Sequence, residues 1–200
     1  MPSKIYSSAL SGIDAYGVEI EVDVLNGLSR FMVVGLPDAA VQESKERVRS
    51  AIVNSGAIFP QQRKVVNLAP ADVRKCGPSF DLPIAVGLLV ESGQIKGAQM
   101  DRAIDKGIFV GELALDGSLR PVNGVLSCAL FAKKNGFKSI YVPEENAAEA
   151  KLVTDLQVYS VVSLCELIEH LNGREKIKAR VGDQGCQQFG ERRRRGLGLA

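Results

Sequence analysis

Residues Val18-Glu19-Ile20-Glu21-Val22-Asp23-Val24 alternate apolar and acidic without a break, the period-2 pattern of a strand with one buried face. The spacing predicts a partner strand at Arg30–Leu36 across an Asn26-Gly27 turn, a dipeptide suited to positive φ. With residues 4–10 pairing alongside, the chain should open as an antiparallel meander. Pro37-Asp38 then starts a helix striped by Val41, Ser44, Val48 and Ile52, with Glu43, Lys45, Glu46, Arg47 and Arg49 facing out and Gly56 ending it. Lys64–Ala69 reads as a short strand. Leu82–Val90 is apolar all round, which marks a central, buried helix. Asp81 is placed to cap it, and Pro83 falls in its first turn, where a missing N–H is harmless.

Downstream, Ile108–Leu115 reads as a strand, Asp116-Gly117 as a tight turn and Ser118–Val122 as the return. A helix over about 124–134 leads through Asn135-Gly136 to a strand at Ser139–Val142. Pro143-Glu144-Glu145-Asn146 opens a short helix, Gln157–Val161 is a last strand and Leu164–Leu171 a last helix. Strands alternating with helices after an antiparallel start predict an α/β mixed sheet covered by helices. The domain should run over 1–173. Residues 174–200 form a basic tail, and from Val181 onward the Gly, Gln and Arg content carries no periodicity, so it reads as disordered.

At 46% hydrophobic, 200 residues can bury a substantial core. No run approaches the roughly 18 apolar residues of a membrane span, and the start lacks a signal peptide's apolar stretch, so a cytoplasmic protein without membrane contact is expected. Cys76, Cys128, Cys165 and Cys186 are scattered with no Cys-x-x-Cys pair; they read as buried or tolerated thiols, and no metal site is expected. The net charge of +2 is uneven: residues 174–200 hold eight Lys/Arg against three Asp/Glu, a surplus of +5 that leaves the first 173 residues at −3. By charge alone the globular part is no nucleic-acid binder.

The most informative segment is Gly77-Pro78-Ser79-Phe80-Asp81-Leu82-Pro83, a turn opening the apolar helix. It is followed by Val110-Gly111-Glu112-Leu113, by Asp116-Gly117-Ser118-Leu119-Arg120-Pro121-Val122-Asn123-Gly124, and by Tyr141-Val142-Pro143-Glu144-Glu145-Asn146. This ordered set resembles the proteolytic domain of Lon. Together with Val33-Val34-Gly35-Leu36-Pro37-Asp38 and Asn67-Leu68-Ala69-Pro70-Ala71-Asp72, it is more similar still to the amino-terminal domain of magnesium-chelatase-like AAA+ ATPases, the ComM/YifB family. The likeness runs from about Ile5 to Asn172. It implies the ribosomal S5 domain 2-like α/β fold of Lon proteolytic domains. For the intact family it implies ATP and Mg2+, a hexameric homo-oligomer, and a motor that moves DNA branches during recombination and natural transformation.

Two departures bear on the chemistry. Matching Pro121-Val122-Asn123-Gly124-Val125 to the turn before the Lon lysine puts Leu126 at the lysine's position. A serine hydroxyl is a poor nucleophile without a base within about 2.6–3.2 Å. Lys133 and Lys134 lie further along the helix, the first about 10 Å on at 1.5 Å per residue. Ser79 is therefore a vestigial candidate and no catalytic residue is assigned. The turn's first expected role is structural, with Ser79 or Asp81 satisfying free helix N–H groups. A secondary one is an anion or DNA contact by Arg74, Lys75 and Ser79 at the helix start. Second, no Gly-x-x-x-x-Gly-Lys-Ser/Thr loop occurs, so no nucleotide-binding residues are assigned and this chain by itself is not expected to be an ATPase. The likeness stops near Arg180, and the low-complexity residues 184–200 read as the end of a truncated copy.

The expected function is thus a non-catalytic assembly or DNA-positioning domain, assembly being favoured by the −3 core. The alternatives are a Ser79-dependent Lon-like peptidase and a stand-alone DNA-binding module acting through Arg192–Arg195. Glu19, Glu21 and Asp23 read as a solvated sheet face, and the single histidine, His170, as a cation suited to a helix C-terminus.

Overall fold

The computed structural model describes residues 2–182. The opening strands are β1 (Ser3–Ser11), β2 (Asp14–Leu25) and β3 (Arg30–Val34), followed by α1 (Ala39–Asn54) and β4 (Arg63–Ala69). Their sheet has the order β1-β2-β4-β3. β1 pairs antiparallel with β2 and β2 with β4, whereas β3 runs parallel to β4. The expected β2–β3 hairpin is therefore corrected. Asn26-Gly27 does reverse the chain, but β4 inserts between the two strands. The reason lies in α1: a helix joining two strands favours parallel neighbours, so β3 takes β4 as its partner.

A turn of 3-10 helix at Pro78–Phe80 leads into α2 (Asp81–Glu91), which lies across β1 and β2. Every residue from Asp81 to Leu89 is buried. The all-apolar composition has that cause: one side meets the sheet through Ile5, Ile20 and Val22, the other meets α1. Gly87 permits the approach, since a Cβ there would lie 2.5 Å from Val22 Cγ2.

The second half is built from α3 (Ala98–Lys106), β5 (Gly107–Phe109), the hairpin β6 (Glu112–Leu113) and β7 (Leu119–Arg120), α4 (Val125–Lys134), β8 (Ser139–Pro143), α5 (Ala147–Ala150), β9 (Gln157–Val161), α6 (Leu164–Leu171) and β10 (Arg180–Val181). Its sheet has the order β10-β9-β8-β5, with β5, β8 and β9 parallel and β10 antiparallel at the edge. α3 was absent from the sequence reading. The single strand expected over Ile108–Leu115 is broken at Gly111, whose N–H donates to the Ser79 carbonyl (3.0 Å) and whose carbonyl accepts from Leu82 N (3.1 Å). Arg180–Val181, placed in the tail by sequence and Val181 within its disordered part, pairs instead with Val158 and Gln157. Arg192–Arg195 and Cys186 lie outside the described residues.

Two apolar clusters result. One joins the first sheet to α1, α2 and α6; the other packs α4 and α5 on β8 and β9 through Val125, Ala129, Ile140 and Val158.

Candidate functional site at the Ser79 turn

The Ser79 turn is clamped from two sides. Asp38 uses one carboxylate oxygen to cap α1, accepting from Val41 N at 2.8 Å, and the other to accept from Gly77 N at 3.1 Å. Two further main-chain bonds, Asp38 N to Lys75 O and Lys75 N to Leu36 O, strap the 75–77 loop to the start of α1. Gly77 sits at φ 88°, a conformation that strains any residue with a Cβ. On the other side, Gly111 holds the main chain of Ser79 and Leu82 as described above.

Asp81 departs from its expected role as a cap. Its side chain is wholly buried and points to α1, where Arg47 grips it in bidentate fashion, Nε to Oδ2 at 2.6 Å and Nη2 to Oδ1 at 3.1 Å. Leu113 N also donates to Oδ2, at 3.2 Å. Burial pushes the Asp81 carboxyl up to about 6, against the pull of Arg47 and Leu113 N toward the charged form. Neither Ser79 nor Asp81 caps a helix N–H among the described residues. Asp81 ties α1, α2 and β6 together.

Ser79 opens onto a cavity of about 380 Å³ between β1, the 76–79 turn and the start of α4. Its polar lining comprises Ser8, Cys76, Ser79, Glu112, Asn123 and Cys128, with Leu10, Pro78, Val110 and Pro121 among the apolar groups. No lysine, arginine or histidine is among the described lining residues. Ser8 is 1% exposed, and its hydroxyl has no hydrogen-bond partner among the described residues. Burial pushes the Cys128 thiol up, which keeps it protonated and unreactive at neutral pH. Cys128 of α4 reaches the wall, while Leu126 packs against the second cluster and its N–H donates to Glu149 Oε1 at 2.9 Å.

Two lysines near the site in sequence, Lys133 and Lys75, are engaged elsewhere. Lys133 reaches Asp155 at 3.2 Å. Lys75, four residues before Ser79, is buried, its ammonium donating to the Pro70 carbonyl, and burial pulls it below the ordinary lysine range. It does not line the cavity, and its charge is not presented at the surface beside Arg74 and Ser79. Arg74 is exposed, with its carbonyl accepting from the Tyr16 hydroxyl at 3.1 Å. The expected trio of Arg74, Lys75 and Ser79 is thus split by the fold.

Three other residues, His170, Glu19 and Glu21, are placed differently from their sequence reading or fill it out. His170 is 1% exposed, accepts from Ile177 N through Nδ1, and is held toward its neutral form by burial and then by Lys176, so it is not a helix-end cation. Glu19 and Glu21 share Lys4, at 2.7 and 3.4 Å, on the solvated face of β2.

Residues 20–146 match the family model of the ChlI subunit of Mg-chelatase. The competence protein ComM of Haemophilus influenzae is 43% identical over 173 residues, covering 86% of this chain and 33% of that protein. An uncharacterised protein of Salmonella typhimurium, YifB, is 41% identical over 174 residues, covering 87% of this chain and 33% of its own length. Lon protease of Lachnoclostridium phytofermentans is 23% identical over 174 residues, or 81% of this chain and 21% of the protease. The chain spans about a third of the length of its ComM and YifB relatives. The mixed sheets and covering helices, with Lon proteases among the relatives, are those of the Lon-like, ribosomal S5 domain 2-like α/β fold. With more than three-fifths of its residues inside the ChlI match and more than two-fifths identity to ComM, the chain belongs to the Mg-chelatase ChlI-like family that also holds ComM and YifB.

Proposed function

We propose that this domain works without catalysis, as the assembly or DNA-positioning domain of a magnesium-chelatase-like AAA+ protein. The observation that carries this reading is the cavity beside Ser79. It keeps the turn and the serine of a Lon-type site but has no basic side chain among its described lining residues. Deprotonating a serine hydroxyl of ordinary acidity needs a general base within hydrogen-bond reach. Glu112 is the one carboxylate among the described lining residues, and its Oε1 lies 3.7 Å from Arg120 Nη1.

ATP and Mg2+ would be used by parts of the intact protein beyond this domain, in a homo-oligomeric ring. The ComM relative is named a competence protein, and its 43% identity supports a role in DNA uptake and recombination. The test is turnover of a fluorogenic peptide series by the purified chain and by Ser79→Ala. Equal background rates are expected. Hydrolysis that disappears in Ser79→Ala would establish the peptidase alternative instead.

A further inference from the structure

We propose that the cleft between α3 and the leading ends of β5, β8 and β9 is a binding site for phosphoryl groups, separate from the Ser79 cavity. It encloses about 270 Å³, and its cationic walls are Arg102, Lys106 and Lys138. All three are exposed, and none forms an ion pair among the described residues. The first 173 residues carry −3 in total, so three unpaired cations around one cleft are a local arrangement and not a reflection of bulk charge.

The fold forces these charges together. Lys138 N donates to Lys106 O at 2.7 Å, and Gln157 N to Lys138 O at 3.0 Å, so three chain segments enter the sheet side by side. The main chains of Lys106 and Lys138 are consequently adjacent just before β5 and β8 begin to pair, and both side chains line the cleft. Arg102 joins them because it lies one helical turn before Lys106 on the same face of α3, with Gln99 and Ala103. An anion seated in the cleft is attracted by all three cations. Asp101 and Asp105 fall outside the lining.

The floor supplies hydroxyl donors of a kind that suits phosphate oxygens. Tyr141, 2% exposed, and Ser139, 5% exposed, line the cleft next to each other. Tyr141 is fixed in a stack between Phe109 and Tyr159, with centroids 4.4 and 4.6 Å away and planes within 8°. Tyr159 stacks on Tyr141, and His170 lies beside the pair, tilted 5.1 Å from Tyr159 and 6.0 Å from Tyr141. Recognition of the phosphate rests on charge and hydroxyl donors. A nucleic-acid backbone and a free phosphate ester present the same chemistry.

The site deepens the DNA-positioning half of the proposed function and not the assembly half, so its failure would leave the assembly reading standing. The test uses the full 200-residue chain, a labelled single-stranded oligonucleotide followed by anisotropy, and separate titrations with inorganic phosphate and with a mononucleotide followed by NMR. The variants are the triple Arg102→Gln, Lys106→Gln, Lys138→Gln and, as a charge control, Lys134→Gln on α4, with circular dichroism to confirm folding. The single Arg102→Gln serves if the triple variant is unfolded. Oligonucleotide binding should weaken steeply with salt, and the triple substitution should reduce the log–log salt slope by about 2, at roughly 0.7 per phosphate contact on a single strand. Lys134→Gln should change it far less. Shifts at Ser139 and Tyr141 on adding phosphate or mononucleotide, without oligonucleotide binding, would assign the site to a free phosphate ester. Oligonucleotide affinity indifferent to the triple variant, no response to any of the three probes, or preference for a poly-glutamate peptide would overturn the proposal.

Discussion

Asp81 is a carboxyl group the fold sequesters so that three elements can meet on it. Arg47 supplies its main compensation, and the two are 34 positions apart in sequence. Removing one partner of a buried pair leaves an uncompensated group, at a cost of about 3–5 kcal/mol. Arg47→Ala should therefore lower stability by about that much at pH 7, measured by urea unfolding. The pH dependence has a definite sign. The folded-state value of about 6 lies above the ordinary 3.8, so the contribution of Asp81 is fully present below about pH 4 and is lost as pH rises through 6. The gap between Arg47→Ala and the parent chain should accordingly narrow at pH 4, where the carboxyl is protonated and no longer needs the guanidinium. A gap independent of pH would mean that Arg47 acts through packing alone. Sequence reading placed Asp81 as a helix cap because the local signal, an acidic residue before an apolar helix, is a real one. The competing partner came from α1 and left no local trace. Lys75 failed as a surface cation for a related reason: its neighbours in sequence do not reveal that Pro70 O lies in reach of its ammonium.

Among the elements, those with a regular period were legible. β2 buries Val18, Ile20 and Val22, and α1 buries Val41, Ser44, Val48 and Ile52, as their alternation and stripe require. α3 went unread because its inward residues, Met100, Ala103 and Ile104, span little more than a turn. The pairing of β3 was misread because a strong turn dipeptide speaks only for chain reversal, while the partner is set by the helix that follows. Two substitutions test how the elements are held. Asp38→Ala removes both the α1 cap and the Gly77 clamp, so the loss should exceed the roughly 1 kcal/mol of a cap alone, and amide exchange should quicken over 75–79 as well as at the start of α1. Exchange altered in α1 only would show that the Gly77 bond is dispensable. Gly87→Ala sets two effects against each other. Alanine gains up to about 1 kcal/mol of helix propensity, whereas forcing a methyl to within 2.5 Å of Val22 costs about 1–3 kcal/mol. A net loss of about 1 kcal/mol is expected on thermal or urea unfolding. A gain would mean that α2 can lift off the sheet cheaply.

At the level of the whole molecule, the fold is that of a Lon-like domain, and its cavity has no basic side chain among the described lining residues. The Gly77–Ser79 turn, the β6–β7 hairpin and the start of α4 still converge on one cavity. What reaches its wall from α4 is Cys128, a buried and protonated thiol, and no basic group accompanies it among the described residues. The family was readable because the motifs are local and ordered. The cationic cleft at α3 was not, because Arg102, Lys106 and Lys138 meet only once β5 and β8 pair. The bulk charge of the domain concealed it further. Intact-mass analysis after exposing the chain to a fluorophosphonate would decide the status of Ser79 directly. No adduct is expected on the parent chain or on Ser79→Ala, under conditions that label an active serine peptidase in parallel. Stoichiometric labelling of the parent chain that disappears in Ser79→Ala would contradict the non-catalytic reading.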